Sequence, residues 1–414
     1  MRRSICTCEP AIAYAGDIRT WKFHFTTATA LPEGTLLLFD IDSMGRPIDW
    51  ETPSAYPEAG ENVIWAQMEG GKPFYPDEIE PKHGIVPKFQ FTLPAKLGVG
   101  KTVTFFMGDP KEKKWGLNPK GTQAQTTSQR RRPFYLFIDP TGKGKYDEPE
   151  AFSIDVKGNI LHNVKIVAPS FVAKNKRFDV VIRFEDEFGN LTSNTADGET
   201  LIELSHEHLR ENLNWKLFIP ETGYITLPNL YFNEAGVYTI TLTNLSNKEQ
   251  FRSAPIRCIP EVERQLHWGT LHGESERVDS TENIDSCLRH FRDEQSLNFY
   301  GVSPFESNEE TPNEIWRQIA HNVAEFNEDE RFITFTGYQW LGEPGEEGLR
   351  QLVFLKEQKQ NPQKKDAKYG SLKKVYKAFN PKELIAIPSF TMGEGYHYDF
   401  KDFCPDFERV AEIY

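Results

Sequence analysis

From Trp21 the chain alternates apolar and polar residues with a period of two (Trp21-Lys-Phe23-His-Phe25-Thr), which sets one face of a strand against a core. Leu36 to Ile41, Phe89 to Leu93, Thr102 to Met107 and Phe134 to Ile138 repeat this behaviour, separated by segments rich in Pro, Gly and Asn. Helical spacing does not persist beyond a turn or two in this region, so residues 1–148 are expected to form a β-sandwich module, with Asp139-Pro140-Thr141-Gly142 as its closing turn. A second β module is expected over 149–260. Phe178 to Phe184 reads as a strand, Asp186 to Asn190 as a turn, and Gly236-Val-Tyr238-Thr-Ile240-Thr-Leu242 as a late strand, the spacing of an immunoglobulin-like sandwich.

The period changes near residue 265. Strand-like segments (Gln265 to Leu271, Asn298 to Val302, Phe332 to Thr336, Leu384 to Pro388) now alternate with helical ones. Thr281 to Asp293 carries Ile284, Leu288 and Phe291 on one side, with Ser280 or Thr281 as the cap. Thr311 to Phe326 carries Ile315, Ile319, Val323 and Phe326. Alternating β and α segments imply a parallel sheet or a (β/α) barrel over 261–414. About 150 residues falls short of the roughly 200 such a barrel needs, so the expectation is an incomplete, truncated barrel.

Composition narrows the functions. The net charge is −13 and is spread along the chain, which repels phosphate backbones and argues against nucleic acid. The exception, Arg130-Arg131-Arg132, is expected to solvate a strand entrance. Apolar runs such as Leu36 to Phe39 are far below the ~20 residues of a membrane span, and no apolar leader follows Arg2-Arg3. Five cysteines, an odd number, suit a reducing compartment, and a cytoplasmic location is expected. Gly98-Val-Gly100-Lys101-Thr102 looks like a phosphate loop, but it leads into a strand rather than a helix and reads as a hairpin turn. Cys6-x-Cys8 lacks a second pair, and His206-Glu-His208 lies in the sandwich away from other donors, so neither is taken as a metal site.

In a (β/α) barrel, chemistry gathers just beyond the C-terminal ends of the strands. Those positions here hold His272-Gly-Glu274-Ser-Glu276 with Asp279, then Ser303-Pro304-Phe305-Glu306, then Gly337-Tyr338-Gln339-Trp340, then Ser389 with Glu394 and His397. Imidazoles and carboxylates on neighbouring strand ends are the ligands that hold a divalent metal and activate water.

At these residues a resemblance becomes specific. Trp268-Gly269-Thr270-Leu271-His272-Gly273-Glu274-Ser275 resembles the Trp-Gly-Asp-Leu-His-Gly-(His or Gln)-Ser opening of a bacterial family of unknown function. Members of that family place two β modules before a PHP-type (polymerase and histidinol phosphatase) domain. Phe332 to Trp340 resembles the same family's Phe-x-x-Phe-x-Gly-Tyr-Glu-Trp segment, and Arg350 to Phe354 its return strand. The resemblance implies a metal-dependent phosphoester hydrolase. It also locates departures: Thr270 stands where the family has Asp, Gln339 where it has Glu, and Ser389 where it has His, while the closing Asp-x-His would lie beyond Tyr414. His272 remains, with Glu274, Asp279 and His397 as substitute donors for a weakly held Mn, Zn or Mg ion. The expectation is therefore a hydrolase-family chain with a degenerate centre and impaired catalysis. The alternative is a non-catalytic binding or scaffold protein that meets a protein partner through its β modules.

Overall fold

A computed structural model describes residues 3–413 except 43–48, 60, 81–85, 109–120, 196–200, 207–214, 245–246, 261–265, 274–280, 304–306, 308–311, 330, 343–346, 357–361 and 391–402. The fold is mostly β-sheet with few helices.

The alternating segments near the N-terminus build two facing sheets. One has the strand order Ile5–Glu9, Trp21–Thr26, Thr102–Gly108, Val63–Met68, Pro73–Phe74. The other runs Ile12–Tyr14, Glu150–Lys157, Gln129–Asp139, Leu36–Asp40, Lys88–Thr92, Asp77–Ile79. Trp21, Phe23, Phe25 and Phe105 from the first sheet meet Leu37, Phe39, Phe89, Phe91 and Phe134 from the second in one core, with Phe23 edge-on to Phe39 at 5.0 Å. Burial of so many aromatic rings is the main stabilising term here.

Three local readings change. The Asp139 turn does not close this module: the chain returns as Glu150–Lys157, and Phe152, Ile154 and Val156 fill the same core. Asp139 instead organises the turn, accepting the Thr141 N–H at 2.8 Å and hydroxyl at 2.6 Å and the Lys145 N–H at 3.1 Å. These bonds, the Thr141 hydroxyl foremost, hold its carboxyl down at about 2. The Gly98–Thr102 segment is a turn, but it connects strands of opposite sheets rather than forming a hairpin. The arginine run is split by a bulge between Gln129 and Arg132, where Arg131 takes φ 52°. Arg130 and Arg131 stay exposed, whereas Arg132 turns inward to 1% exposure. Its guanidinium lies 4.1 Å from the Phe134 ring and donates to the Ile41 and Pro133 carbonyls, and burial pushes its pKa down to about 10.

The second β region has three small sheets around one core. Their strand orders are Asn163–Val167, Phe178–Glu185, Tyr224–Leu230; Phe171–Ala173, Ile256–Ile259, Gly236–Tyr238; and Trp215–Phe218, Leu201–His206, Ile240–Asn244, Gln250–Arg252. Val180, Ile182, Phe184, Leu242, Ile256 and Cys258 pack together inside. The Tyr238 hydroxyl donates to the Glu234 carbonyl at 2.8 Å, the tyrosine corner that marks immunoglobulin-like sandwiches.

The remaining chain forms one six-stranded sheet: Gly269–Gly273, Phe299–Val302, Ile333–Leu341, Leu349–Phe354, Leu384–Phe390, Glu412–Ile413. It is mixed rather than parallel. The first three strands run parallel, the fourth is antiparallel to both neighbours, and the sixth is parallel to the fifth. A short connection between the third and fourth strands leaves no room for a crossover helix and forces the antiparallel return. Helices Thr281–Arg289, Asn313–Glu325 and Leu372–Ala378 pack on the face formed by Tyr300, Val302, Tyr338, Trp340, Leu352, Phe354, Leu384 and Ala386. In the second helix Trp316 rather than Ile315 leads the buried stripe, with Ile319, Ala320 and Val323, because 3.6-residue spacing from Val323 lands on 316. Thr281–Arg289 continues through a π-helical turn, His290–Glu294. No helix of the described residues is long and apolar enough to cross a membrane.

Two expectations follow. Tyr238→Phe should cost about 1 kcal/mol in urea unfolding, the net worth of one hydrogen bond. Cys6 and Cys8, alternate residues of an edge strand packed on the first core, have pKa values raised by burial to about 12. Raised values keep both thiols protonated in the folded state, so iodoacetamide at pH 8 should label them only after unfolding. By linkage the stability they confer is present below pH 9 and lost as pH rises towards 12.

Candidate functional site

Neighbouring strands of the six-stranded sheet stand ~4.8 Å apart, so five spacings would hold its edges roughly 24 Å apart if it were flat. Yet His272 on the first strand and Glu412 on the sixth meet: Nδ1 lies 2.6 Å from Oε2. The sheet is therefore curled until its two outer strands touch through side chains. Strand alternation puts Tyr338, Trp340 and Leu352 on the helix-covered face and Gln339, Gln351 and Ser389 on the other, where His272 and Glu412 meet.

The residues gathered there are largely those singled out in the sequence. The Gln339 amide nitrogen is 3.0 Å from His272 Nε2. The Ser389 hydroxyl donates to Glu412 Oε2 at 3.0 Å, next to the His272 bond. Thr270 accepts the His272 N–H through its hydroxyl at 3.3 Å. The His272 side chain is 8% exposed, and Ser389 is fully buried. Glu274, Asp279 and His397, with Glu276, Pro304, Phe305, Glu306 and Glu394, lie outside the described residues, as do His208 and the His206 side chain.

The motif glycines explain how polar groups fit inside so tight a curve. A Cβ at Gly273 would lie 2.2 Å from the Tyr300 ring, and one at Gly337 would lie 2.2 Å from Ser303 Oγ and 2.5 Å from Gln351 Nε2. Glycine at 337 lets the Gln351 amide reach across the third strand to donate to the Ser303 hydroxyl. Beneath the opposite face Arg350 and Glu408, 1% and 6% exposed, pair at 3.3 Å. Tyr376 donates to Glu408 at 2.6 Å, and the Glu347 carboxylate accepts from Trp340 Nε1 at 2.9 Å and the Leu372 N–H at 2.7 Å. This buried ionic group fixes the start of the Leu349–Phe354 strand, and burial with the Glu408 contact pushes the Tyr376 phenol pKa far up.

Sequence reading passed over Glu412, Gln351 and Glu408. Glu412 had a weak signal, being an acid inside the apolar stretch Val410-Ala411-Glu412-Ile413-Tyr414. Arg350 and Gln351, inside an apolar strand, and Glu408, outside any strand, carried none, because a charged or amide residue reads as solvent-facing until the second covering layer is known.

A carboxylate on one ring nitrogen of a histidine is the arrangement that orients imidazole towards a metal at the other. Here Nδ1–H donates to Glu412, and the Gln339 amide donates to Nε2, where a cation would bind. Around it the described residues offer one imidazole and one carboxylate, then an amide and a hydroxyl. No group of three or more His, Cys, Asp or Glu side chains suited to a metal occurs among the described residues. Among the described residues this set falls short of the several anionic oxygens that a dinuclear centre needs.

No family model matches the chain. Domain pairs D0–D1 and D00–D0 of intimin align with 61% and 62% of it and 97% and 100% of their own chains, at 7% and 9% identity. Their TM-scores, 0.18 and 0.24, are too low to inform its fold. An uncharacterized protein of Chlamydia pneumoniae is 52% identical over the whole of this chain, and uncharacterized proteins of Chlamydia trachomatis and Chlamydia muridarum are 49% and 48% identical. The chain is thus similar to uncharacterized bacterial proteins, and it spans 66% of the length of each of them.

Proposed function

We propose that this chain is a non-catalytic binding or scaffold protein that presents its β modules to a protein partner, on a framework derived from metal-dependent phosphoester hydrolases. The observation that carries this reading is the Gln339 amide on His272 Nε2, 3.0 Å away, with Glu412 on Nδ1. A ring whose two nitrogens are spent on protein hydrogen bonds is a poor ligand, and a neutral amide replaces the carboxylate that would bridge cations. Five free thiols, Cys6, Cys8, Cys258, Cys287 and Cys404, support the accompanying proposal of a reducing, cytoplasmic setting.

A second reading keeps enzymatic activity, with a single weak Mn, Zn or Mg ion shared by His272, Glu274 and Asp279. It is favoured by the convergence of Thr270, His272, Gln339 and Ser389 at one end of a curled sheet. Purified protein assayed on generic phosphoesters with Mn²⁺, Zn²⁺ and Mg²⁺ separates the two. The scaffold reading expects no retained metal and no turnover that His272→Ala removes; turnover lost in that variant establishes the enzyme.

The same geometry makes a gain-of-binding prediction. Gln339→Glu puts a carboxylate beside Nε2 and should create measurable Zn²⁺ uptake by titration calorimetry where the parent shows none. Equal heats from both proteins would mean that Gln339 does not block the position.

A further inference from the structure

We infer that the segment from Arg183 to Asn190 locks the two sandwiches and the six-stranded sheet into one rigid body, making the middle sandwich a coupler between its neighbours. This goes beyond the scaffold reading and stands on geometry independent of His272.

The turn after the Phe178–Glu185 strand is built around one carboxylate. Asp186, 2% exposed, accepts the backbone N–H groups of Asn159 at 2.8 Å and of Phe188 and Asn190 at 2.9 Å. So anchored, the turn projects into the N-terminal sandwich. Asn190 Oδ1 accepts the Ser128 N–H at 2.7 Å, and its Nδ2 donates to the Thr126 carbonyl at 2.7 Å. Asn159 Nδ2 donates to the Ala15 carbonyl at 2.9 Å. The Phe188 ring seats on Gly16, at φ +75°, where a Cβ would approach ring carbons to 2.9 Å. Asn190 is 9% exposed, so these bonds are shielded from water and cannot be exchanged for solvent without opening the junction.

Three residues before Asp186, the same strand reaches the other way. Arg183, 5% exposed, spends Nε on Glu185 at 2.7 Å and sends Nη1 to the Glu294 carbonyl at 3.1 Å. Glu294 ends the π-helical turn that continues the first helix of the α/β region, where the helix dipole presents unsatisfied carbonyls and a cation is favoured. Tyr224, on the strand paired with Arg183, has its phenol pKa raised by burial and then by the nearby Asp293 and Glu294 charges. Eight residues of one strand and its turn thus contact both neighbouring bodies through buried polar groups. Two flexibly linked modules would be joined by solvated linker instead.

Small-angle scattering of the full chain tests this. The parent should fit a single conformer with the arrangement described. Asn190→Ala, which removes the Ser128 and Thr126 bonds, and Phe188→Ala, which unseats the ring from Gly16, should each give a larger radius of gyration and require a broadened ensemble, with far-UV circular dichroism unchanged. Phe188 is 41% exposed, so its truncation leaves the cores intact and serves where Asn190→Ala fails to fold. A parent curve that already demands an ensemble, or variants that scatter as the parent does, overturns the inference, and neither outcome bears on metal binding or turnover.

Discussion

A hydrogen bond between two side chains ties together the outer strands of the C-terminal sheet. His272 and Glu412 belong to the outermost strands of a six-stranded sheet, and their 2.6 Å contact exists only because that sheet is curled upon itself. A short bond of this kind between an imidazole and a carboxylate is among the stronger hydrogen bonds available to a protein, and here it is largely shielded from water. The curl also explains the glycines at 273 and 337, which admit a neighbouring ring and a neighbouring amide where any side chain would collide. It requires the opposite face to be held by the three helices and by the buried Arg350–Glu408 pair.

Curvature of this sort creates a polar interior, and what fills it decides the function. Carboxylates and imidazoles would make a cation site. Here an amide at 339 and a hydroxyl at 389 join one imidazole and one carboxylate in a network in which every donor named has a protein acceptor. The same replacement serves stability: neighbouring carboxylates with no cation would repel one another, whereas Gln and Ser bond without charge. The result, on our reading, is a curled sheet that serves as a rigid support for the sandwiches.

Much of the architecture was legible in the chain. Alternation marked the strands around Phe23, Phe39, Phe89 and Phe105, and Gly236-Val-Tyr238 marked the immunoglobulin-like strand whose tyrosine corner the structure shows. The motif positions 270, 272, 339 and 389 lie within hydrogen-bonding reach of one another or of Glu412. What escaped was anything that depends on a second layer. Arg132 reads as surface until the bulge at Arg131 turns it inward, and Phe152 reads as part of the next module until its strand returns. The direction of the Leu349–Phe354 strand follows from loop length rather than from periodicity. Glu412 is invisible as a partner because 140 residues separate it from His272.

The central claim is that both ring nitrogens of His272 are committed to protein partners. Long-range proton–nitrogen NMR on protein labelled with nitrogen-15 histidine reports each nitrogen separately. The account predicts a proton on Nδ1, a hydrogen-bonded but unprotonated Nε2, and no change in either signal on adding Zn²⁺. A Zn²⁺-induced shift of the His272 Nε2 signal would show that the Gln339 amide yields to a metal, and would contradict it.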